Sequence, residues 1–461
     1  LVLGDKSLLD ADLKASYAKA GVSHVLAVSG LHVGIIFVVF NFLFSIFFKG
    51  NLLGPRLLRA LLTVCCLWGY AFLTGLSPSV MRASVMFSFL QFGFLFQRPY
   101  SVYSSVVASA FVLLLYNPSF LFDVGFQLSY MAILSILFFY PRLSSLSLIT
   151  RLKNCSFRFL PSRVRTVPQF LTSWSVDLTI VSLAAQIGTA PLVLYYFHQF
   201  SCVFWLSGLF VLPLAVALVY LALMSFVVSP FPSVASLFVG LLSFVASVTN
   251  AVVCFFSSFP FSVIDFIDFR FEDLLCCYVA LTFISFYLYN RRFLPFFCGL
   301  LVFCISGTLS VFRRHSVPGV SVAVYNYSGR SAVNVFGSGF NRLYSTADSS
   351  MVCRQLKSFW IRQHTVPAQL SSSHLLVGGR ASAFIVDKDL SGCRAEGAPI
   401  TVDLLVISSD VRVPIGKLKT IFNYKHLVID SSCSLATSYW WKKQCPDAYL
   451  VKERGDFIEH L

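Results

Sequence analysis

Long apolar stretches alternate with short polar connections between residues 30 and 312. Spanning a bilayer takes roughly 20 mostly apolar residues. About ten stretches approach that length, centred near residues 30–48, 57–76, 80–97, 101–117, 120–140, 175–197, 202–228, 234–257, 273–290 and 293–312. Arg82 interrupts the third, and the short turns around it are compatible with a re-entrant segment. Residues 1–23 differ: they are amphipathic and charged, without the basic start and cleavage site of a signal peptide. The sequence starts at Leu1 rather than methionine, so an upstream piece is expected to be missing.

Beyond Phe312 the pattern changes. Short β-rich runs appear, "VSVAVYN", "SAVNVF", "SAFIVD", "DLLVIS" and "LVID", with helical stretches near "SMVCRQLKSFWIRQH" and "SLATSYWWKKQC". The expected fold class is a polytopic α-helical membrane protein of about ten spans with a C-terminal α/β soluble domain of about 150 residues. The expected divisions are an N-terminal segment 1–23, a transmembrane domain 24–312 and an extracytoplasmic domain 313–461.

Composition agrees with the pattern. Of 461 residues, 57% are hydrophobic and 12% charged, against about a quarter charged in soluble domains. The net charge of +15 fits cytoplasmic basic loops, an anionic partner, or both. Lysine and arginine collect on one side of the expected spans: Lys49, Arg56 and Arg59, then Arg98, then Arg142, Arg151, Lys153, Arg158, Arg163 and Arg165, and finally Arg291 and Arg292. That side is expected to be cytoplasmic, and an even number of spans then puts both termini outside. Arg313 and Arg314 run against the trend, but they adjoin a large translocated domain, where the rule loses force. Residues 313–461 hold 18 Lys+Arg and 11 Asp+Glu, a net of +7. Of thirteen cysteines, nine lie in the apolar region, and the pairs Cys65-Cys66 and Cys276-Cys277 read as packing. The four in the tail, Cys353, Cys393, Cys433 and Cys445, allow three pairings.

Ionisable and amide side chains inside spans are costly and usually face a protein interior or a wet cavity. "HVLAVSGLHVG", His24 to Gly34, puts two imidazoles at the mouth of an apolar run. Eight residues on one straight helix mean about 12 Å of rise and about 80° of rotation, so His24 and His32 cannot share a metal ion there. They read as bundle-facing histidines bonded to carbonyls, or as functional groups. Ser29 and His32 are three apart and their side chains can meet, the geometry of a nucleophile and base, but no acid lies nearby in sequence. Gly30 and Gly34 form a GxxxG that lets a helix approach closely. Arg82, one turn after Pro78, reads as a snorkelling side chain or as a positive charge at a pore mouth. Asp123 and Gln127 share one helix face, and Arg82 is a candidate partner for Asp123. Gln186, Thr189, Pro191 and His198 lie in and after a later span, where Pro191 is expected to break or kink the helix. Asp177, Pro213 and Asn250 read as structural.

Four of these segments, in this order, resemble the ComEC family of competence proteins, which form the inner-membrane channel for DNA uptake. "HVLAVSGLHVG" resembles the family's most recognisable segment. "SPSVMRASVM" is similar to its proline-serine-arginine-alanine segment, "FDVGFQLSYMA" to its GFQLS segment, and "SLAAQIGTAPLVLYYFHQFS" to its later glutamine-proline-phenylalanine stretch. The resemblance implies a multi-helix channel passing one strand of DNA, with His24, Ser29, Gly30, His32, Gly34, Arg82, Asp123, Gln127, Gln186 and Pro191 as its signature residues. It also implies an extracytoplasmic DNA receptor and a cytoplasmic helicase-like ATPase as partners, and many members carry an upstream OB-like domain. The chain itself has no GxxxxGK[ST] motif, and its sequence calls for no cofactor.

Many family members end in a metallo-β-lactamase-like domain with a histidine- and aspartate-rich metal site. The corresponding segment here, "VDLLVISSDVRVPIGKL", keeps the strand and Asp410 but has Ser408, Ser409, Val411 and Arg412 in place of the histidine run. His315, His364, His374, His426 and His460 are scattered. The tail therefore reads as a metallo-β-lactamase-like remnant without a metal site, and the chain as a non-enzyme whose partners are single-stranded DNA and membrane lipid. Trp360, Trp440 and Trp441 offer faces for stacking bases, with core packing the favoured reading of the Trp440-Trp441 pair. Two alternatives stand beside the channel: a transporter of another anionic or lipid-linked substrate, and a membrane hydrolase using Ser29 and a histidine.

Overall fold

The computed structural model describes residues 9–460 except 49–52, 96–100, 147–148, 151–161, 316–318, 328, 338, 348, 364, 380 and 391–397. Lys49, Arg98, Arg151, Lys153, Arg158, His364 and Cys393 lie outside the described residues, as do the side chains of Arg163, Arg165, Arg313, Arg314 and His315. The chain divides into two compact units, residues 1–265 with 284–292, and residues 266–283 with 293–461.

The first unit begins with helix α1 (Ala11–Lys19) and a short 3-10 turn, Ser23–Leu26. This amphipathic segment is docked on the bundle. Tyr17 is buried and donates its hydroxyl to Asn250 Oδ1 at 2.9 Å, and Ser201 donates to the Lys19 carbonyl at 2.8 Å. Gly21 follows at φ 77°, and a Cβ there would stand 2.7 Å from Phe204 Cβ, so the turn needs glycine on both counts. The long helices of this unit are α2 (Gly30–Phe47), α3 (Leu53–Leu73), α4 (Pro78–Leu95), α5 (Val102–Tyr116), α6 (Val124–Ser144), α7 (Ser162–Phe197), α8 (Phe204–Val227) and α9 (Pro232–Ser257); α10 (Phe271–Asn290) is divided between the two units and α11 (Phe293–His315) belongs to the second. Their starts follow from sequence: Asp123 caps α6 by accepting from the Phe126 N–H at 2.7 Å, and Pro232 opens α9.

Among the described residues, eight helices are long and apolar enough to cross a membrane, against about ten expected. The two that differ are helical all the same. In α4, Arg82 and Gln91 dilute the apolar content. The 15 residues of α5 reach about 22 Å, short of a hydrocarbon core of about 30 Å. Outward side chains such as Phe226 and Leu237 remain exposed, as lipid-facing residues do in a bundle.

Two short strands, β1 (Phe200–Ser201) and β2 (Val263–Ile264), pair antiparallel in the first unit. Two five-stranded sheets build the C-terminal sandwich in the second unit. One runs β11-β10-β9-β8-β7, from Tyr449–Leu450, Phe422–Ile429, Ile400–Ile407, Ala381–Val386 and Leu375–Gly378; its first four strands are parallel and β7 is antiparallel. The other runs β12-β3-β4-β5-β6, from Phe457–His460, Ser321–Val324, Ala332–Gly337, Phe340–Ser345 and Gln369–Leu370. Val322, Val335, Leu376, Leu404 and Val428 fill the space between the sheets. Helices α13 (Ile415–Ile421) and α14 (Leu435–Gln444) cover the first sheet, and α12 (Ser349–Arg362) covers the second, giving an α/β/β/α sandwich.

Candidate functional site

His24 lies exposed in the 3-10 turn, off the helix that carries His32. His32, 3% exposed, sits in the first turn of α2. Its Nδ1 accepts the Ser29 backbone N–H at 3.3 Å and lies 3.0 Å from Ser29 Oγ. A ring nitrogen that accepts from a backbone N–H carries no proton, so the neutral ring holds its proton on Nε2. The Ser29–His32 contact is thus a reciprocal cap on the start of α2. Behind it, Gly30 faces Ala83 and Gly34 faces Phe87, so the GxxxG pair admits α4.

Arg82 on α4 is 2% exposed. An insertion scale charges about 2.5–3.5 kcal/mol for arginine at the centre of a span. The bundle offsets this with a hydrogen bond from Arg82 to the Gly125 carbonyl at 3.3 Å and with the Tyr130 ring 5.2 Å beneath the guanidinium. Tyr130 is fixed in turn by a 2.9 Å contact with the Ser109 hydroxyl. Asp123 makes no direct salt bridge to Arg82, although its charge acts on the guanidinium. Its carboxylate is committed to capping α6, where four orphan N–H groups need acceptors. Gln127, one turn on, donates to the Leu121 carbonyl at 2.8 Å and accepts from the Tyr196 hydroxyl at 2.9 Å.

Tyr196 belongs to α7, which also carries Gln186 and Pro191. The helix is not broken at Pro191: it runs unbroken from Ser162 to Phe197 with Pro191 buried inside it. Neighbouring helices and hydroxyls can absorb a proline in a span. The tightest α6–α7 contact lies nearby, where Ser135 donates to the Ala184 carbonyl at 2.5 Å and stands against Gly188. Gln186 is half-buried on the same helix. The four sequence segments thus meet in one line of contacts, α2 to α4, α4 to α6 and α6 to α7. Gly125, Tyr130, Ser109 and Tyr196 were not singled out in the sequence. Three of the four lie within segments that were quoted, and an aromatic within a turn of a motif residue was the available signal for Tyr130 and Tyr196.

In the sandwich, Ser409 and Asp410 turn the chain at positive φ after β9. Hydrogen bonds from the Ser434 backbone N–H and then its hydroxyl hold the Asp410 carboxyl below the usual carboxylate range. His374 pairs with Asp387 and His426 with Glu459, each at 2.8 Å. Among the described residues no group of three or more His, Cys, Asp or Glu is arranged to hold a metal ion. The donor set at the Asp410 segment, hydroxyls and one carboxylate tied to Ser434, does not fit a two-metal centre. Trp360 and Trp441 are core residues, with indole N–H groups donating to the Tyr325 hydroxyl and the Val411 carbonyl, so their faces are closed to bases. Cys353, Cys433 and Cys445 are free thiols, and burial pushes the Cys433 thiol up to about 12.

Eight apolar spans, a buried cation, a capped histidine and an appended sandwich define a multi-pass membrane protein whose polar residues gather inside its bundle. The chain belongs to the Competence protein family, which matches residues 1–291, and the ComEC C-terminal domain matches residues 322–451. It is 36% identical over 203 residues to "ComE operon protein 3" of Bacillus subtilis (strain 168), covering 44% of this chain and 22% of that protein. It is 33% identical over 132 residues to an uncharacterized protein of Aquifex aeolicus (strain VF5), covering 29% of this chain and 30% of that one. The chain thus covers less than a third of either curated relative's length. No solved structure matches it.

Proposed function

We propose that this chain is an inner-membrane channel that imports single-stranded DNA during natural transformation. The observation that carries the reading is the convergence of the four family segments on contiguous helices, with Arg82 buried among them. Competence family membership supplies the process. Eight spans and ten are both even, so the charge bias supports termini outside and basic loops inside under either count. The signature residues His24, Ser29, Gly30, His32, Gly34, Arg82, Asp123, Gln127, Gln186 and Pro191 then shape or line the path. The tail, net +7, is the extracytoplasmic face that meets DNA. Lipid surrounds the exposed apolar faces. An extracytoplasmic receptor delivers DNA, and a separate cytoplasmic ATPase does the motor work, since the chain has no phosphate-binding loop. The sandwich acts without a metal, as a metallo-β-lactamase-like remnant rather than a nuclease.

Deleting the gene and following labelled DNA tests this. The channel reading expects surface binding to continue while DNA stops reaching the cytoplasm, with rescue by the wild type and impaired rescue by His32→Ala at matched membrane levels. Undiminished import after deletion would contradict it and direct the search to another anionic or lipid-linked substrate.

One observation favours a hydrolase instead: Ser29 Oγ stands 3.0 Å from an imidazole nitrogen. Against it, that nitrogen also accepts the Ser29 backbone N–H, and among the described residues no carboxylate lies within hydrogen-bonding distance of His32. Ser29→Ala decides. Retained import fits the cap, and lost import with folding and DNA binding intact fits the nucleophile.

A further inference from the structure

Positive charge is not spread evenly over the sandwich. Residues 411–446, which hold α13 and α14, carry six Lys+Arg and one Asp, a net of +5, while the remaining 12 Lys+Arg and 10 Asp+Glu of the tail nearly cancel. The one carboxylate, Asp430, is buried at the end of β10. Two of the cations are taken: Lys425 pairs with Asp403 at 2.6 Å and Lys442 with Glu453 at 2.7 Å. Arg412, Lys419 and Lys443 are exposed and have no ion-pair partner among the described residues.

The two helices form one surface. Both lay an apolar side on the first sheet, through Leu418 and Trp441. The Ile415 N–H donates to Gln444 Oε1 at 3.3 Å, and Arg412 lies across the seam, its Nε and Nη2 both 3.3 Å from Thr437 Oγ1. On α14 the outward residues Leu435, Tyr439 and Lys443 follow at i, i+4 and i+8, which puts them in one stripe. Tyr439 is 59% exposed, unlike Trp441 behind it. The Lys442 ammonium stands 6.0 Å from the Tyr439 ring centre on one side. No other ring or cation among the described residues occupies the second side.

An open aromatic face among unpaired cations suits a nucleic-acid single strand: cations follow the phosphates, and a base of any kind stacks on the ring. A duplex keeps its bases stacked inside and offers the ring little beyond its ends. A membrane surface is the poorer match. An interfacial helix buries a broad apolar face, whereas the outward side of α14 has one large aliphatic residue, Leu435. We propose that the outward face of α13 and α14 is a docking surface for single-stranded nucleic acid, with a base on Tyr439 and phosphates on Arg412, Lys419 and Lys443. That DNA meets the tail at all rests on the channel reading; the layer and the preference for an unpaired strand go beyond it.

The test is binding of a labelled oligonucleotide, single-stranded or as a duplex, to the purified full chain in detergent. Tyr439→Ala should weaken single-strand binding about tenfold and leave its salt slope unchanged. Tyr439→Phe, which keeps the ring, should bind as the wild type does. Lys419→Gln with Lys443→Gln should flatten the log–log salt slope by about 1.4, at about 0.7 per lost phosphate contact on a single strand. Arg330→Gln with Arg362→Gln removes the same charge elsewhere on the sandwich and should leave the slope unchanged. All of these side chains are exposed, so the core survives each change. Equal losses in the two charge pairs, full affinity in Tyr439→Ala, or tighter binding of the duplex than of the single strand would each overturn the proposal. A photo-crosslinking residue at Tyr439, with the chain in vesicles of neutral and anionic lipid, should capture added oligonucleotide; capture of lipid alone would assign the face to the membrane and overturn it as well. Failure of the channel reading is distinct, since it shows in cells as import surviving gene deletion.

Discussion

A guanidinium inside a bundle is kept only if its surroundings repay its desolvation. For Arg82 they are one carbonyl and one aromatic face, and both depend on the planar shape of arginine. Arg82→Lys keeps the charge and loses the fit, so import of labelled DNA should fall about tenfold at matched protein level, and Arg82→Met should fall further. Equal import by wild type and Arg82→Lys would mean that charge alone matters. In the sandwich, the Cys433 thiol, raised by burial and then by the nearby Asp430 carboxylate, stays protonated at neutral pH. It should resist thiol reagents in the folded chain and react once the chain is denatured; labelling of the folded chain would contradict the packing. Asp410 behaves oppositely. Its folded-state carboxyl lies below its unfolded value of about 3.9, so the stability it contributes is present above that pH and is lost as pH falls through the folded value. Asp410→Asn should lower the neutral plateau of a thermal-stability profile in detergent and leave the acid end little changed, so that the acid limb flattens.

Between elements, close approach sets the terms. A Cβ on Gly188 would stand 2.6 Å from Ser135 Cβ and 3.1 Å from the Met131 carbonyl, so Gly188→Val must push α7 off α6. The expected cost is about 1–3 kcal/mol, read as a lowered melting midpoint of the purified protein, and an unchanged midpoint would refute the contact. At this scale the sequence was readable in part. Apolar length located every long helix, because lipid-exposed spans must satisfy their backbone internally and so announce themselves by composition. The count was less readable, since Arg82 and Gln91 dilute the apolar content of α4 and α5 has only 15 residues. Pro191 does not break its helix, because a proline's effect in a span depends on its neighbours, which sequence does not display. Asp123 was readable in part: its charge acts on Arg82, but its direct hydrogen bond goes to an orphan N–H group at the start of α6.

Across the whole chain, order along the sequence carried more information than any single residue. Four segments that are weak alone identify the family together, and they turn out to share contacts. The sandwich was visible as strands and helices, but not its two-sheet pairing, because register depends on partners distant in sequence. If the basic tail captures DNA by phosphate contacts, binding should weaken steeply and linearly in log–log form as salt rises. A salt-independent affinity would remove the tail from DNA capture.

The most direct measurement places a photo-crosslinking amino acid at Gln127 or at Gln186, with Phe226 and Leu237 on the lipid-facing side as references. Cells importing labelled DNA are then irradiated. The account predicts DNA captured at Gln127 and Gln186 and not at the two references. DNA that reaches the cytoplasm while crosslinking at neither interior position would contradict it.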